Sequence, residues 1–309
     1  MSRKAVLLFS GQGAQKVGMG KDLAEAFPVA KSLFDRADAT LGFALTDVMF
    51  HGPMEELTKT SRCQPALYAH GLAVLEVLKE RLPSLEITAT AGLSLGEFTA
   101  HSAAGTFDFE TGLKLVFQRG TFMEEACEQT KGAMAALIGG DETAVRELAA
   151  ENGVDVANFN CPGQIVISGS VEGIDSAVAK AKEKGIKKAI KLPVAGAYHS
   201  KLMQSAQDKL ATVLAGIDIQ KPRVPVVCNY EARVVSSAEE IRATLEKQVT
   251  GSVRWEASMR QLIADGHDLF IELGPDSALK NFLARIDKGI KAVSIGDLSS
   301  LEAAMAELG

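Results

Sequence analysis

Residues 88–98 read TATAGLSLGEF, and within them Gly92, Leu93, Ser94, Leu95 and Gly96 form a Gly-x-Ser-x-Gly pentad. At a strand-to-helix corner such a serine is lifted clear of a sheet and can act as a nucleophile; in an ordinary loop the same pentad means little. Here β-branched and small residues precede it and helix-forming residues follow, so the context favours the corner. Gly92 and Gly96 leave room where a side chain would clash with the turn. The amide of Leu95, at the head of the following helix, would face an oxyanion forming beside Ser94. The plain alternative is a structural turn whose serine caps a helix.

A serine at its ordinary pKa needs a base, most often histidine. The chain has five. His51 stands in an HGP loop and His70 within an amphipathic helix; His101 is seven residues past Ser94 on the same helix, two turns away and out of reach; His267 precedes a strand. His199 follows LPVAGAY, where the chain is expected to pass back from one domain to another. Such a loop borders a cleft. His199 is therefore the candidate base.

The elements that must position this pair read as an α/β chain. KAVLLFS is a central buried strand ending in a glycine-rich turn. Residues 20–41 and 64–82 carry helical periodicity, with Pro65 read in a first helical turn. LEITATAG is a strand, LGEFTAHSAAG a helix, and the segment from Asp108 to Gln129 a second helix with Asp108 as N-cap. Alternating strands and helices imply a parallel sheet. From residue 132 the order becomes β-α-β-β-α-β, the ferredoxin-like pattern, which closes a small sheet of its own. The expected organisation is a parallel-sheet large domain over residues 1–130 and 198–309, interrupted by a ferredoxin-like subdomain over 131–197. Helices around 200–215, 238–249 and 254–265, strands at VPVVCN and DLFIELG and one final helix complete the reading.

The composition excludes several classes. With 47% hydrophobic and 23% charged residues in 309, the chain reads as globular, and 33 Lys+Arg against 39 Asp+Glu give a net charge of -6. Such a body offers nucleic acid or an anionic membrane no general attraction. Cys63, Cys127, Cys161 and Cys228 lack metal-ligand spacing and read as reduced thiols, so no metal site is expected. The N-terminal apolar run is too short for a signal segment, and no stretch reaches the roughly 18 to 20 apolar residues of a membrane span. A cytoplasmic protein is expected.

Several motifs besides the pentad carry a resemblance: FSGQGAQ, GLSLGEF, QRGTFMEEA, NFNCPGQIVISG, GAYHSKLM, VRW and IELGP. In order and spacing they resemble the malonyl-CoA:acyl-carrier-protein transacylases of bacterial type II fatty-acid synthesis. The match runs over nearly the whole chain. The family's fold, a hydrolase-like α/β domain interrupted by a ferredoxin-like subdomain, agrees with the reading above.

The resemblance implies that Ser94 attacks the malonyl thioester, with His199 as base, and that the malonyl-serine ester passes its acyl group to the phosphopantetheine thiol of acyl carrier protein. Malonyl-CoA and the carrier are then substrates in a ping-pong transfer, and no tightly bound cofactor is implied. It implies an oxyanion site between the amides of Leu95 and Gln12, and Arg119 as partner of the malonyl carboxylate. The main-chain carbonyl of Gln248 would orient His199, giving a dyad without a carboxylate. Asn160 resembles a polar residue at the family's active-site mouth. Leu93 departs from the histidine many relatives carry before the nucleophile, leaving substrate contact and pH dependence open. Tyr198 lies in GAYH, which resembles the malonyl rather than the methylmalonyl version of the specificity loop.

Residues 180–191 hold Lys180, Lys182, Lys184, Lys187, Lys188 and Lys191 against one glutamate. They read either as a solvated face or as a patch steering coenzyme A phosphates or an acidic carrier. With the site between its own two domains a monomer would be complete. Two rivals stand beside the transferase. A serine esterase would place an acid between nucleophile and histidine and a histidine near the chain's end; an idle carrier-binding module would need no Ser94, His199 and Arg119 together.

Overall fold

The structure, a computed structural model, describes residues 3–308. Residues 1, 2 and 309, the outer ends of the expected large domain, lie outside the described residues. Chain order begins with β1 (Lys4–Phe9), whose last five residues are all buried, followed by α1 (Lys21–Ala26) and α2 (Pro28–Leu41). The periodic stretch from 20 to 41 is thus broken at Phe27. Pro28 lacks an N–H and disfavours helical backbone in the residue before it, so one helix ends and the next begins there.

Next come α3 (Leu45–His51), α4 (Met54–Thr58) and α5 (Thr60–Arg81). His51 therefore closes a helix rather than standing in a loop. Helix α5 starts four residues before the expected position 64, which puts Pro65 inside it. Every residue from Cys63 to Leu75 is buried, and packing on all sides outweighs the single hydrogen bond that the proline forgoes.

β2 (Glu86–Gly92) leads into α6 (Leu95–Ala103), and α7 (Phe109–Gln129) is capped by Asp108, which accepts from Thr111 N–H. The small unit follows as expected: β3 (Gly132–Ile138), α8 (Glu142–Glu151), β4 (Asp155–Cys161), β5 (Gln164–Ser170), α9 (Val171–Lys180) and β6 (Lys188–Lys191). The chain then returns through α10 (Gln204–Ala215), β7 (Val226–Val227), β8 (Val234–Val235), α11 (Ala238–Lys247) and α12 (Trp255–Ala264). It ends with β9 (Leu269–Leu273), α13 (Ala278–Ile286), β10 (Lys291–Ile295) and α14 (Leu298–Leu308). The single final helix of the sequence reading is thus two helices around an edge strand, KAVSI, in which only Val293 and Ile295 are fully buried.

Among the described residues the strands form two sheets. The larger has the order β10-β9-β1-β2-β7-β8, parallel except for the β7–β8 pair, with β1 and β2 inside it. The smaller is antiparallel with the order β4-β5-β3-β6, the ferredoxin-like arrangement. The two are stitched together. Phe159 N–H donates to Val253 O at 2.9 Å and Val253 N–H to Ala157 O at 2.8 Å, around a parallel bridge between Asn158 and Val253. No helix of the described residues is long and apolar enough to cross a membrane.

Candidate active site

Ser94 sits where β2 ends and α6 begins, with φ 54 and ψ -108, a conformation that non-glycine residues rarely adopt. The turn closes because both flanking glycines lack a Cβ. A Cβ on Gly92 would lie 2.0 Å from the main chain of Gly96, and one on Gly96 would lie 2.1 Å from Phe9 O. Asn229 holds the turn from outside, accepting from Ser94 N–H through Oδ1 at 2.6 Å and donating from Nδ2 to Gly92 O at 2.8 Å.

His199 also has positive φ, 56, so two of the three non-glycine residues in that region, among the described residues, are the nucleophile and base candidates. Strain of this kind persists only where surrounding contacts impose it. The ring is buried. Its Nδ1 faces two carbonyls, Gln248 O at 2.8 Å and Gly251 O at 3.2 Å, and its Nε2 lies 2.7 Å from Ser94 Oγ. Carbonyls only accept, so the proton belongs on Nδ1 and the bare Nε2 accepts from the serine hydroxyl. Burial, and secondarily the nearby Arg119 charge, push the His199 pKa down to about 4 against the opposing pull of the two carbonyls. The imidazole is thus neutral at pH 7, the form in which it can take a proton.

An arginine on a helix is ordinarily exposed; Arg119, on α7, is 1% exposed. Nη1 donates to Gln64 Oε1 at 2.8 Å, and Nη2 donates to Gln248 Oε1 at 2.9 Å and to Ser94 Oγ at 3.1 Å. The guanidinium also lies over the face of Phe98, 5.2 Å from its centroid. Burial lowers its pKa to about 10, with the Glu97 charge opposing, so it remains cationic at neutral pH. Its Nε has no hydrogen-bond partner among the described residues. A buried cation beside the candidate nucleophile, anchored by two neutral amides and the Ser94 hydroxyl, suits a substrate carboxylate.

The Leu95 amide, first in α6, has no intrahelical acceptor. Gln12 lies in the loop after β1, which approaches the corner closely: a Cβ on Gly11 would lie 2.5 Å from Leu93 O. Gln12, Leu93, Ser94, Arg119, Asn160, Tyr198 and His199 all line one cavity of about 370 Å³ between the two sheets. Asn160 is buried, with its Oδ1 unpartnered among the described residues, and Tyr198 Oη is 2.7 Å from Thr60 Oγ1. Gln248 sits behind the cavity wall. A larger groove of about 620 Å³ lies among α2, α5 and the loop before α7, and lacks the Ser94, His199 and Arg119 cluster.

Gln64, Asn229 and Gly251 join the site without any prior signal. Each acts through an amide or carbonyl supplied by an element distant in sequence, which no local motif announces. The lysines divide. Lys184 pairs with Glu151 and Glu147, Lys191 with Asp175, and Lys180 donates to Asn152 Oδ1. Among the described residues no group of three or more His, Cys, Asp or Glu side chains could hold a metal ion.

The acyl transferase domain family matches residues 6–302. A Bacillus subtilis protein named malonyl CoA-acyl carrier protein transacylase is 43% identical over 310 residues, covering 99% of this chain and 97% of its own. The crystal structure of an acyl-carrier-protein-S-malonyltransferase from Bartonella henselae superposes with a TM-score of 0.94 at 38% identity, covering 99% of both chains. A solved complex of a type II PKS acyl-carrier protein with its malonyl-transacylase gives a TM-score of 0.93 at 38% identity, covering 99% of this chain and 100% of that one. Fold and comparisons together define an acyltransferase. The chain belongs to the acyl transferase family, and its full-length relatives include the malonyl CoA-acyl carrier protein transacylases.

Proposed function

We propose that the protein moves a malonyl group from malonyl-CoA to the phosphopantetheine thiol of an acyl carrier protein, through a malonyl ester on Ser94, and so supplies fatty-acid synthesis. The observation that carries this reading is the buried Arg119 guanidinium with Nη2 3.1 Å from Ser94 Oγ, itself 2.7 Å from His199 Nε2. A diacid fragment puts its reactive carbonyl and its free carboxylate two bonds apart. A nucleophile and a cation that touch each other match that spacing.

In the first half, Ser94 Oγ attacks the thioester carbonyl as its proton passes to His199 Nε2. The amides of Leu95 and Gln12 receive the developing oxyanion. The C–S bond breaks, and coenzyme A leaves as the thiol with the proton His199 held. In the second half, His199 takes the proton of the carrier thiol, whose sulfur attacks the ester, and the proton returns to Ser94 Oγ. The Gln248 and Gly251 carbonyls keep the imidazole in one tautomer without adding a negative charge beside a malonate. Arg119 holds the malonyl carboxylate and disfavours acetyl groups. Asn160, Leu93 and Tyr198 shape the wall against which the acyl group rests.

Residues 131–197 act as the subdomain that closes this cavity, and one chain suffices for the chemistry. The cytoplasm is its place of action on this reading. Lys182, Lys187 and Lys188, rather than the internally paired Lys184 and Lys191, are the members of the basic segment open to an acidic carrier or to coenzyme A phosphates. Intact-mass spectrometry after mixing with malonyl-CoA tests the reading. A malonyl adduct lost in Ser94→Ala and discharged by holo carrier protein is expected. Steady release of free malonate would make it a hydrolase, and absence of any reaction an idle binding module.

A further inference from the structure

Glu97 stands three residues after Ser94, the spacing of a capping box, in which the acid reaches back to the N–H of the capping residue. It does not do so here: the Ser94 N–H is held by Asn229 Oδ1. The fully buried carboxylate turns inward instead. Its Oε2 accepts from Asn229 N–H at 3.0 Å and from Gln248 Nε2 at 2.5 Å, while Oε1 has no hydrogen-bond partner among the described residues. Keeping a half-satisfied carboxylate out of water is costly, and packing alone gives no reason for it.

Gln248 supplies the reason. Its Oε1 accepts from Arg119 Nη2 at 2.9 Å, its Nε2 also donates to Ser94 O at 3.0 Å, and its main-chain oxygen accepts from His199 Nδ1 at 2.8 Å. The two ends of an amide are nearly equal in size, so partners decide which end points where. A guanidinium only donates. Glu97 Oε2 remains an acceptor whether or not the unpartnered Oε1 carries a proton. With the guanidinium at one end and the Glu97 carboxylate, shorter in its contact than Ser94 O, at the other, one orientation satisfies every partner, and the reverse sets oxygen against oxygen and N–H against N–H.

We propose that Glu97 is a positioning residue for acyl selection: by fixing the orientation of the Gln248 amide it supplies the acceptor that aims the Arg119 fork beside Ser94. The proposal rests on the reading of Arg119 as partner of the malonyl carboxylate. Burial raises the Glu97 pKa to about 7, and its charge helps to keep Arg119 protonated, in line with this arrangement.

The test is the rate of Ser94 acylation by malonyl-CoA relative to acetyl-CoA, read by intact mass for the wild type, E97A, E97Q, Q248A and E97A/Q248A. Glu97→Ala should lower the malonyl-to-acetyl ratio about tenfold or more, the scale of a lost charge-assisted hydrogen bond. Glu97→Gln keeps an acceptor toward Gln248 and should retain most of the ratio. Adding E97A to Q248A should change it no further, because Glu97 acts through that residue. Should E97A not fold, Glu97→Asp, which withdraws the acceptor by one methylene, takes its place and should also lower the ratio. An unchanged ratio in E97A or E97D, E97Q as impaired as E97A, or additive losses in the double variant would overturn the positioning role alone. A wild type that takes no malonyl label would overturn the transacylase reading and the proposal with it.

Discussion

If His199 is the base that activates Ser94, the acid limb of serine reactivity should lie near pH 4 rather than near the ordinary histidine value of 6.5. Removing the Arg119 charge should move it upward. Arg119 Nη2 and His199 Nε2 both contact Ser94 Oγ, at 3.1 and 2.7 Å, so they lie within about 6 Å of each other. Two unit charges at ~6 Å with an effective dielectric of ~20 repel by about 3 kcal/mol, or about two pKa units. Water admitted in place of the guanidinium screens part of this, so Arg119→Met should raise the limb by about one to two units. The sign follows from the active form. Neutral imidazole accepts the proton, the arginine charge disfavours imidazolium, and loss of that charge makes the ring easier to protonate. Because Arg119 is also the proposed substrate partner, the assay should use a probe without a carboxylate: inactivation of Ser94 by phenylmethylsulfonyl fluoride as a function of pH. Circular dichroism over the same range separates protonation of the ring from unfolding. Arg119→Lys, which keeps the charge, should leave the limb near 4. A wild-type limb at 6.5, or one that stays put in Arg119→Met, would refute the electrostatic account of the dyad.

Three further outcomes follow from the geometry. Gly96→Ala should destabilise by about 3 kcal/mol or more, because its Cβ meets rigid backbone at Phe9 and Ser10 rather than a movable side chain; an unchanged thermal midpoint would contradict that close approach. Asn229→Ala leaves the Ser94 N–H and Gly92 O unpaired and should cost about 1–3 kcal/mol in denaturant unfolding while slowing malonyl labelling. If labelling is unaffected, the turn holds itself. Charge reversal at Lys182 and Lys188 should raise the KM for carrier protein severalfold at low salt and little at high salt, whereas Lys184→Gln, whose ammonium is already occupied by Glu151, should not.

Much of this architecture is readable from local signals. The strand-turn-helix corner, the Asp108 cap and the β-α-β-β-α-β run all rest on periodicity and turn chemistry within a few residues. His199 is marked in the sequence by its place at the expected domain return. β10 is not legible in the sequence because an edge strand of five residues with two fully buried side chains barely differs from a loop. The early start of α5 was hidden by Pro65, which marks a helix beginning wherever packing does not override it. Gln64, Glu97 and Asn229 were not legible as site residues. Their place at the site rests on amide and carboxylate contacts among α5, α6, α7, the segment after β7 and the end of α11, which only the folded chain brings together.

The bridge between Asn158 and Val253 ties the small sheet to the same short stretch, residues 248–253, whose carbonyls steady the His199 ring. The histidine itself arrives on the strap that leaves β6. If His199 is the base of Ser94, a chain whose inserted sheet has not formed would hold that serine without its proton acceptor. On that reading, a thioester would meet a reactive serine only in a chain whose two sheets are already joined.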